Sequence, residues 1–203
     1  MIQHNTPLVL GSASPRRSEI LRGLSIPIRI VTPQTDEERR KGERPDAYLN
    51  RVVIEKLRNV ASQLDCTSYG GVLVADTIVV LDESIMGKPS DVTDACHMLR
   101  RLSGRAHVVF TRFAISLPSS PSHPVHEETV RTLVRFRDLG DDEILRYAST
   151  REGLDKAGAY AAQGIGSFAI EGIFGSYSNV IGLPACEVVV ALQRTGLIGA
   201  YPL

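Results

Sequence analysis

Short apolar runs that suit buried strands alternate along the chain with segments in which apolar residues recur at helical spacing. The run PLVL at residues 7–10 is followed by Ile20, Leu21 and Leu24, which fit one face of a helix. Strands separated by helical patterns predict an α/β sheet. Because 203 residues suit one sizeable domain or two small lobes that share a core, we expect a single domain over residues 1–203.

The first strand-to-helix junction combines hydroxyls with two arginines. Ser14 suits a helix N-cap, and Arg16 and Arg17 then fall in the first helical turn. The positive end of the helix dipole disfavours cations there unless an anion binds among them. With Ser12, these groups would form a phosphate cradle. The alternative is two solvated arginines on a surface helix, and this stretch alone does not decide between them.

The apolar run GGVLVADTIVVLDE contains one carboxylate near its middle. The flanking residues predict a buried central strand, in which Asp76 is costly unless it is paired or binds a metal. Asp76 is therefore the first catalytic candidate. The alternative is a strand-end turn in which Asp76 only accepts backbone hydrogen bonds.

Two lysines add cations to the candidate site. Lys56 projects from the apolar face of the helix predicted over Asp46–Leu64, where it either extends to the surface or meets an acid or a phosphate. Lys88 stands in GKPSD, but the chain lacks the GxxxxGK[ST] pattern of a phosphate-binding Walker loop.

The acidic partners are expected in TPQTDEERRKGE, at Asp36 and Glu37. Such a charge run is more often a solvated loop, although its position after an apolar strand allows it to face the site. Carboxylate oxygens would favour Mg²⁺ or Mn²⁺ over zinc.

Charge and cysteine content exclude several functions. Lys and Arg together number 23, as do Asp and Glu, so the chain has no net positive charge to attract nucleic acid. No stable nucleic-acid binding is therefore expected. Cys66, Cys96 and Cys186 are odd in number and far apart, which argues against a disulfide framework or a zinc cluster. No apolar run is long enough to span a membrane, so we expect a cytoplasmic protein.

Seven segments in order resemble the signature segments of the Maf family of nucleoside triphosphate pyrophosphatases, and they cover the chain from Leu8 to about Leu192. They are SASPRR, EKLRNV, GGVLVADTIVVLDE, GKPSD, LRRLSGRAHVV, LDKAGAYAAQG and GSYSNVIGLP. The resemblance implies an elongated mixed β-sheet flanked by helices, with a cleft between two lobes, similar to inosine triphosphate pyrophosphatases. It also implies cleavage between the α and β phosphates, giving a monophosphate and pyrophosphate.

The same resemblance implies residue roles. Asp76 would accept a proton, Glu37 and Asp76 would hold a divalent Mg²⁺ or Mn²⁺ ion, and the phosphate-binding cations would be Arg17, Lys56 and Lys88. Arg16, Thr77 and Gln163 match the branch that resembles dTTP/UTP pyrophosphatases, so the expected substrate is a pyrimidine nucleoside triphosphate. TPQTDEE carries an extra residue relative to related sequences, which leaves open whether Asp36 or Glu37 is the acidic partner.

Two other functions stay open at this point. One is the removal of modified pyrimidine nucleotides by the same chemistry. The other is a non-enzymatic role in septum formation, against which the balanced charge and the complete catalytic set count. Family members are often dimers, so a homodimer is the assembly that the resemblance suggests.

Overall fold

The computed structural model describes residues 1–64 and 68–202, so Cys66 lies outside the described residues. The chain divides into two compact units. The first comprises Met1–Asp76, Thr111–Val130 and Gly182–Leu203, and the second comprises Thr77–Phe110 and Arg131–Ile181.

Seven strands of the described chain form one mixed sheet in the order β2-β1-β3-β5-β6-β7, with β4 paired to β3. Strand β1 is parallel to β2 and β3, whereas β4 is antiparallel to β3 and β7 is antiparallel to β6. The strands are β1 Leu8–Gly11, β2 Ile28–Val31, β3 Gly71–Leu81, β4 Ser84–Met86, β5 Ala106–Ser116, β6 His126–Phe136 and β7 Ile170–Phe174.

Six α-helices and two short 3₁₀-helices accompany these strands in the described residues. The predicted helix over Asp46–Leu64 is present as α2, shifted by one or two residues. The α-helices are α1 Pro15–Gly23, α2 Pro45–Ser62, α3 Val92–Leu102, α4 Asp141–Ser149, α5 Tyr177–Val180 and α6 Ala185–Arg194, and the 3₁₀-helices are Ala157–Ala159 and Ile165–Ala169.

In the first unit, a glycine allows helix and sheet to approach closely. Gly11 ends β1 beside Val74 of β3. A Cβ at Gly11 would lie 2.7 Å from side-chain atoms of both Val60 and Val74. Val60 lies one turn after Lys56 on α2. The bare backbone at Gly11 therefore lets α2 pack down on the strands and brings Lys56 to the end of β1.

The second unit has its own apolar core, in which three rings pack edge to face. The His107 and Phe136 ring centroids lie 5.1 Å apart, and those of Phe136 and Tyr160 lie 4.8 Å apart. The Tyr160 hydroxyl lies 2.9 Å from His107 Nε2. Such contacts add to the apolar burial that stabilises this unit.

The predicted fold class, an α/β protein with a mixed sheet flanked by helices, is confirmed. The single domain with a cleft between two lobes stays a prediction. No helix in the described ranges is both long and apolar enough to cross a membrane.

Candidate active site

Asp76 lies in the middle of β3, a strand with every residue buried except half-buried Thr77. Its side chain has a relative exposure of 10 %. The alternative of a strand-end turn is therefore wrong, because the β-branched and apolar residues on both sides continue as one strand. A carboxylate in this environment needs a compensating cation or strong hydrogen bonds.

Lys56 supplies that compensation. Its Nζ donates to Asp76 Oδ1 at 2.6 Å and lies 2.8 Å from Glu37 Oε1. The residue is 4 % exposed, so it meets acids inside the protein and does not extend to the surface. One ammonium group thus joins two carboxylates from distant parts of the chain.

Glu37, and not its neighbour, is the acidic residue that contacts Lys56. The Glu37 side chain keeps 44 % of its surface exposed. Asp36 is exposed, and its Oδ1 accepts a hydrogen bond from the Glu38 N–H at 2.8 Å. Asp36 therefore serves the local turn, while Glu37 presents Oε1 to the buried lysine from a side chain that is partly exposed.

Two further residues of α2 hold the segment that carries Glu37, and sequence reasoning missed them. The Tyr48 hydroxyl donates to the Glu37 carbonyl at 3.0 Å. Arg51 donates to the Glu38 carbonyl at 3.0 Å and to the Glu43 carboxylate at 2.7 Å. The hydrogen bonds from Arg51 to the Glu43 carboxylate lower the pKa of Glu43 to about 2, while burial raises the pKa of Tyr48. Tyr48 and Arg51 lie one helical turn apart on α2, but they bind backbone carbonyls of the acidic segment, and such partners leave no signal in the sequence.

The junction between β1 and α1 forms a second part of the site. Arg17 is 8 % exposed, and its Nε donates to the Gly182 carbonyl at 2.8 Å. Its Nη1 donates to Ser12 Oγ at 3.1 Å, and Ser12 Oγ also accepts from the Ser14 N–H at 3.1 Å. Arg17 is thus a buried residue, and the alternative of a solvated arginine is wrong for it.

The charges of this junction and of the carboxylates act on each other. Burial lowers the pKa of Arg17, and the negative charges of Asp76 and Glu37 oppose that change. Ser14 occupies the predicted N-cap position of α1, but its side chain makes no capping hydrogen bond. Half-buried Arg16 follows Pro15 in the first turn.

The other candidates belong to the second unit. Thr77 follows Asp76 along β3 and is half-buried, whereas Lys88 is exposed after β4 and Gln163 is exposed just before the second 3₁₀-helix. The structure brings together Ser12, Arg17, Glu37, Lys56 and Asp76. The predicted joint role of Thr77, Lys88 and Gln163 with that group stays a prediction.

The donor set of the first unit suits a hard divalent cation. In residues 1–64 and 68–202, no group of three or more His, Cys, Asp or Glu side chains is arranged so that it could hold a metal ion. Mg²⁺ commonly binds through one or two carboxylates plus substrate phosphates. Asp76 and Glu37 both contact the Lys56 ammonium group, so two carboxylates lie close together, as that pattern requires.

Comparison with known proteins places the chain in a family. The family model described as "Maf-like protein" matches residues 7–195. The chain belongs to the Maf-like family. This confirms the family predicted from the sequence segments, and the match spans the strands and helices that carry Ser12, Arg17, Glu37, Lys56 and Asp76.

Two relatives of this Maf-like protein share a name. A protein of Syntrophotalea carbinolica named dTTP/UTP pyrophosphatase is 45 % identical over 98 % of this chain and 89 % of its own length. One of Myxococcus xanthus with the same name is 47 % identical over 95 % of this chain and 94 % of its own. A solved HAM1 protein from Coxiella burnetii covers 94 % of this chain and 99 % of its own, at 15 % identity and a TM-score of 0.48.

Proposed function

We propose that this Maf-like protein hydrolyses dTTP and UTP to the nucleoside monophosphate and pyrophosphate. The observation that carries the proposal is the buried Asp76, held by Lys56 at 2.6 Å in a chain whose relatives bear the name dTTP/UTP pyrophosphatase. A buried carboxylate fixed by a cation has the geometry of a general base whose position is set before substrate arrives.

Asp76 takes the proton of the attacking water. Its Oδ1 already accepts from Lys56, so the proton goes to Oδ2. The water oxygen bonds to the α phosphorus, the α–β bridging bond breaks, and the electron pair leaves with pyrophosphate. Arg17 and Lys56 stabilise the negative charge that develops on the phosphates, and Lys88 has the same role in the family resemblance.

The proposed cofactor is Mg²⁺ or Mn²⁺, held by Asp76 and Glu37. A bound divalent ion would neutralise part of the triphosphate charge and acidify a bound water. Glu37 suits this role because its carboxylate is partly exposed while one oxygen is fixed 2.8 Å from Lys56 Nζ. The Tyr48 and Arg51 hydrogen bonds keep the Glu37 backbone in place for it.

Base selectivity is assigned to Gln163 and Arg16, with Thr77 as the third position that matches the pyrimidine branch. Uracil and thymine present two carbonyl acceptors and one N–H, which a glutamine amide and a guanidinium match with donors and an acceptor. Cytosine reverses part of this pattern, and an unmatched buried polar group costs about 1–3 kcal/mol. CTP is therefore expected to be a poor substrate.

Release of monophosphate and pyrophosphate from a panel of nucleoside triphosphates with Mg²⁺ or Mn²⁺ tests the function. Wild type should turn over dTTP and UTP, and Asp76→Asn should lose on the order of 10²-fold or more, typical of a general base. Glu37→Gln should also lose activity, whereas the matched change Asp36→Asn should keep it, since the hydrogen bond that Asp36 accepts lies within its own turn. Absence of turnover in the wild type would contradict the proposal.

The two remaining hypotheses are tested by the same panel. Pyrimidine triphosphates with a modified base, included beside UTP, would reveal a role in removing modified nucleotides if they gave the higher kcat/KM. A folded wild-type protein without any turnover would favour the non-enzymatic role.

We also propose a cytoplasmic homodimer. Cys96 and Cys186 are free thiols, in keeping with a reducing compartment. Light scattering coupled to size-exclusion chromatography measures the mass in solution, and a value near the 22.1 kDa of one chain would contradict the dimer.

A further inference from the structure

The segment that carries Gln163 is tied down by side chains from elsewhere in the second unit. We define the Gln163 loop as residues 158–166. Gln163 itself is exposed, while Gly158, Ala159, Tyr160, Ala161 and Gly166 are buried. Gly164 and Ile165 are exposed as well, so Gln163 lies in the exposed part of a loop whose first residues and last residue are buried.

Glu152 binds the end of this loop through both carboxylate oxygens. Its Oε1 accepts from the Ile165 N–H and its Oε2 from the Gly166 N–H, each at 2.9 Å. Gly164 has φ of +87°, and a Cβ there would lie 2.3 Å from Glu152 Oε1. The turn is therefore shaped around the carboxylate, with glycine where a side chain would displace it.

Tyr147 binds the start of the loop from the interior. It is 4 % exposed, and its hydroxyl accepts a hydrogen bond from the Ala161 N–H at 3.0 Å. A Cβ at Gly166 would lie 2.5 Å from the same hydroxyl oxygen and 2.4 Å from the Ala161 carbonyl oxygen. The two ends of the loop thus meet at Tyr147, and Gln163 lies between them.

Two further contacts fix the residues that precede Gln163. The Gly158 N–H donates to the Gly87 carbonyl at 3.0 Å, and the Tyr160 hydroxyl lies 2.9 Å from His107 Nε2. Ala159 has φ of +62°, a left-handed conformation that costs a residue with a Cβ about 1–2 kcal/mol. Strain of this kind persists only where the surroundings determine the backbone.

We propose that Glu152 and Tyr147 are positioning residues that set the base selectivity of the enzyme by fixing Gln163. This inference rests on the proposed function. An amide on a mobile loop would meet uracil and cytosine edges in many orientations and would distinguish them poorly. Glu152 and Tyr147 hold the backbone on both sides of Gln163, so its amide reaches the base in one arrangement and recognises one pattern of donors and acceptors.

The test compares kcat/KM for UTP and CTP in wild type, Glu152→Gln and Tyr147→Phe. Glu152→Gln replaces one acceptor oxygen by an NH₂ group that faces a backbone N–H, and Tyr147→Phe keeps the packing but removes the hydroxyl. Each variant should lower the UTP-to-CTP ratio by about 10-fold. Hydrogen exchange at Ile165 and Gly166 should become faster in Glu152→Gln.

Glu143→Gln is the matched control. Glu143 Oε2 also accepts a backbone N–H, that of Gly140 at 3.0 Å, and its Oε1 accepts from Arg137 at 2.7 Å, but it caps α4 and both of these partners lie outside the loop. Its UTP-to-CTP ratio should equal that of wild type. A fall of the same size in Glu143→Gln would indicate general loosening and would overturn the proposal.

Repeating the comparison in a Gln163→Ala variant shows whether the change in the UTP-to-CTP ratio depends on the Gln163 side chain. In Gln163→Ala, adding Glu152→Gln should leave the ratio unchanged, because the side chain that it positions is absent. A further 10-fold fall there, or an unchanged ratio in both single variants of a wild type that hydrolyses UTP, would overturn the proposal. Wild type without activity on any pyrimidine triphosphate would instead overturn the proposed function itself.

Discussion

Lys56 Nζ and Asp76 Oδ1 lie 2.6 Å apart although twenty residues separate them along the chain. Both side chains are almost fully buried, at 5 % and 10 % relative exposure. Removing one member of a buried ion pair leaves an uncompensated charge, which is more harmful than removing both. Replacing Lys56 alone should therefore destabilise the protein more than replacing both residues.

Lys56→Met should lower the free energy of unfolding by about 3–5 kcal/mol, since Asp76 then stays buried without its cation. Adding Asp76→Asn should restore part of that stability but no activity. Urea unfolding at neutral pH measures both changes. Lys41→Met, at an exposed lysine, is the control and should match wild type. Equal stability of Lys56→Met and wild type would show that the ion pair contributes little.

The contact between Glu43 and Arg51 predicts a loss of stability in acid. The hydrogen bonds from Arg51 lower the pKa of Glu43 from 4.5 to about 2, so the folded carboxyl binds fewer protons than the unfolded one between these values. Its contribution is complete above pH 4.5 and disappears as the pH falls towards 2. Urea midpoints of wild type and Glu43→Gln should therefore converge as the pH falls from 7 to 3. A difference that stays constant over this range would contradict the prediction.

His107 predicts pH dependence in a higher range. Burial lowers its pKa from 6.5 to about 4, so between these pH values His107 is protonated in the unfolded chain and neutral in the folded chain. Stability associated with His107 is thus complete above pH 6.5, falls as the pH drops towards 4, and changes no further below it. The total is about 3 kcal/mol, at roughly 1.4 kcal/mol per pH unit.

Unfolding free energies of wild type and His107→Gln between pH 7 and pH 4 measure this contribution. The variant has no group that titrates at this position, so the other carboxylates and histidines cancel in the comparison. Parallel pH profiles of the two proteins would count against a buried neutral His107.

Gly11 predicts a steric effect on the placement of Lys56. Gly11→Ala puts a methyl group 2.7 Å from Val60 and Val74, which should lower the free energy of unfolding by about 1–3 kcal/mol. Val60→Ala in the same chain should recover part of this loss, because it vacates the space that the new methyl group needs. Thermal unfolding of both variants checks the coupling. An additive result would show that α2 does not press on Gly11.

Sequence reasoning found the residues whose type conflicts with their surroundings. Asp76 interrupts an apolar strand and Lys56 interrupts the apolar face of a helix, and each conflict is visible in the order of residues alone. Their mutual contact was not predictable, because strand β3 and helix α2 meet through tertiary packing of a shared apolar cluster. For the same reason, the sequence did not reveal whether Asp36 or Glu37 is the acidic partner. That depends on which of the two side chains faces α2, which only the folded structure shows.

Residues that act by holding backbone groups were missed. Tyr48 and Arg51 donate to the carbonyls of the acidic segment, and Glu152 and Tyr147 accept from N–H groups of the Gln163 loop. A tyrosine on an apolar helical face and a glutamate in a loop are both common, so neither stands out in a sequence. Each of these side chains binds a backbone peptide group, and every residue has one, so no residue pattern marks the partner.

Arg17 and Lys56 face the carboxylates of Glu37 and Asp76, and these four formal charges sum to zero. Burying such groups is costly even when they are paired, but the two signs compensate each other, and the loss of one group leaves an uncompensated charge. The proposed site residues of the first unit therefore depend on one another for charge compensation, so a change at any one of the four alters the electrostatic environment of the other three.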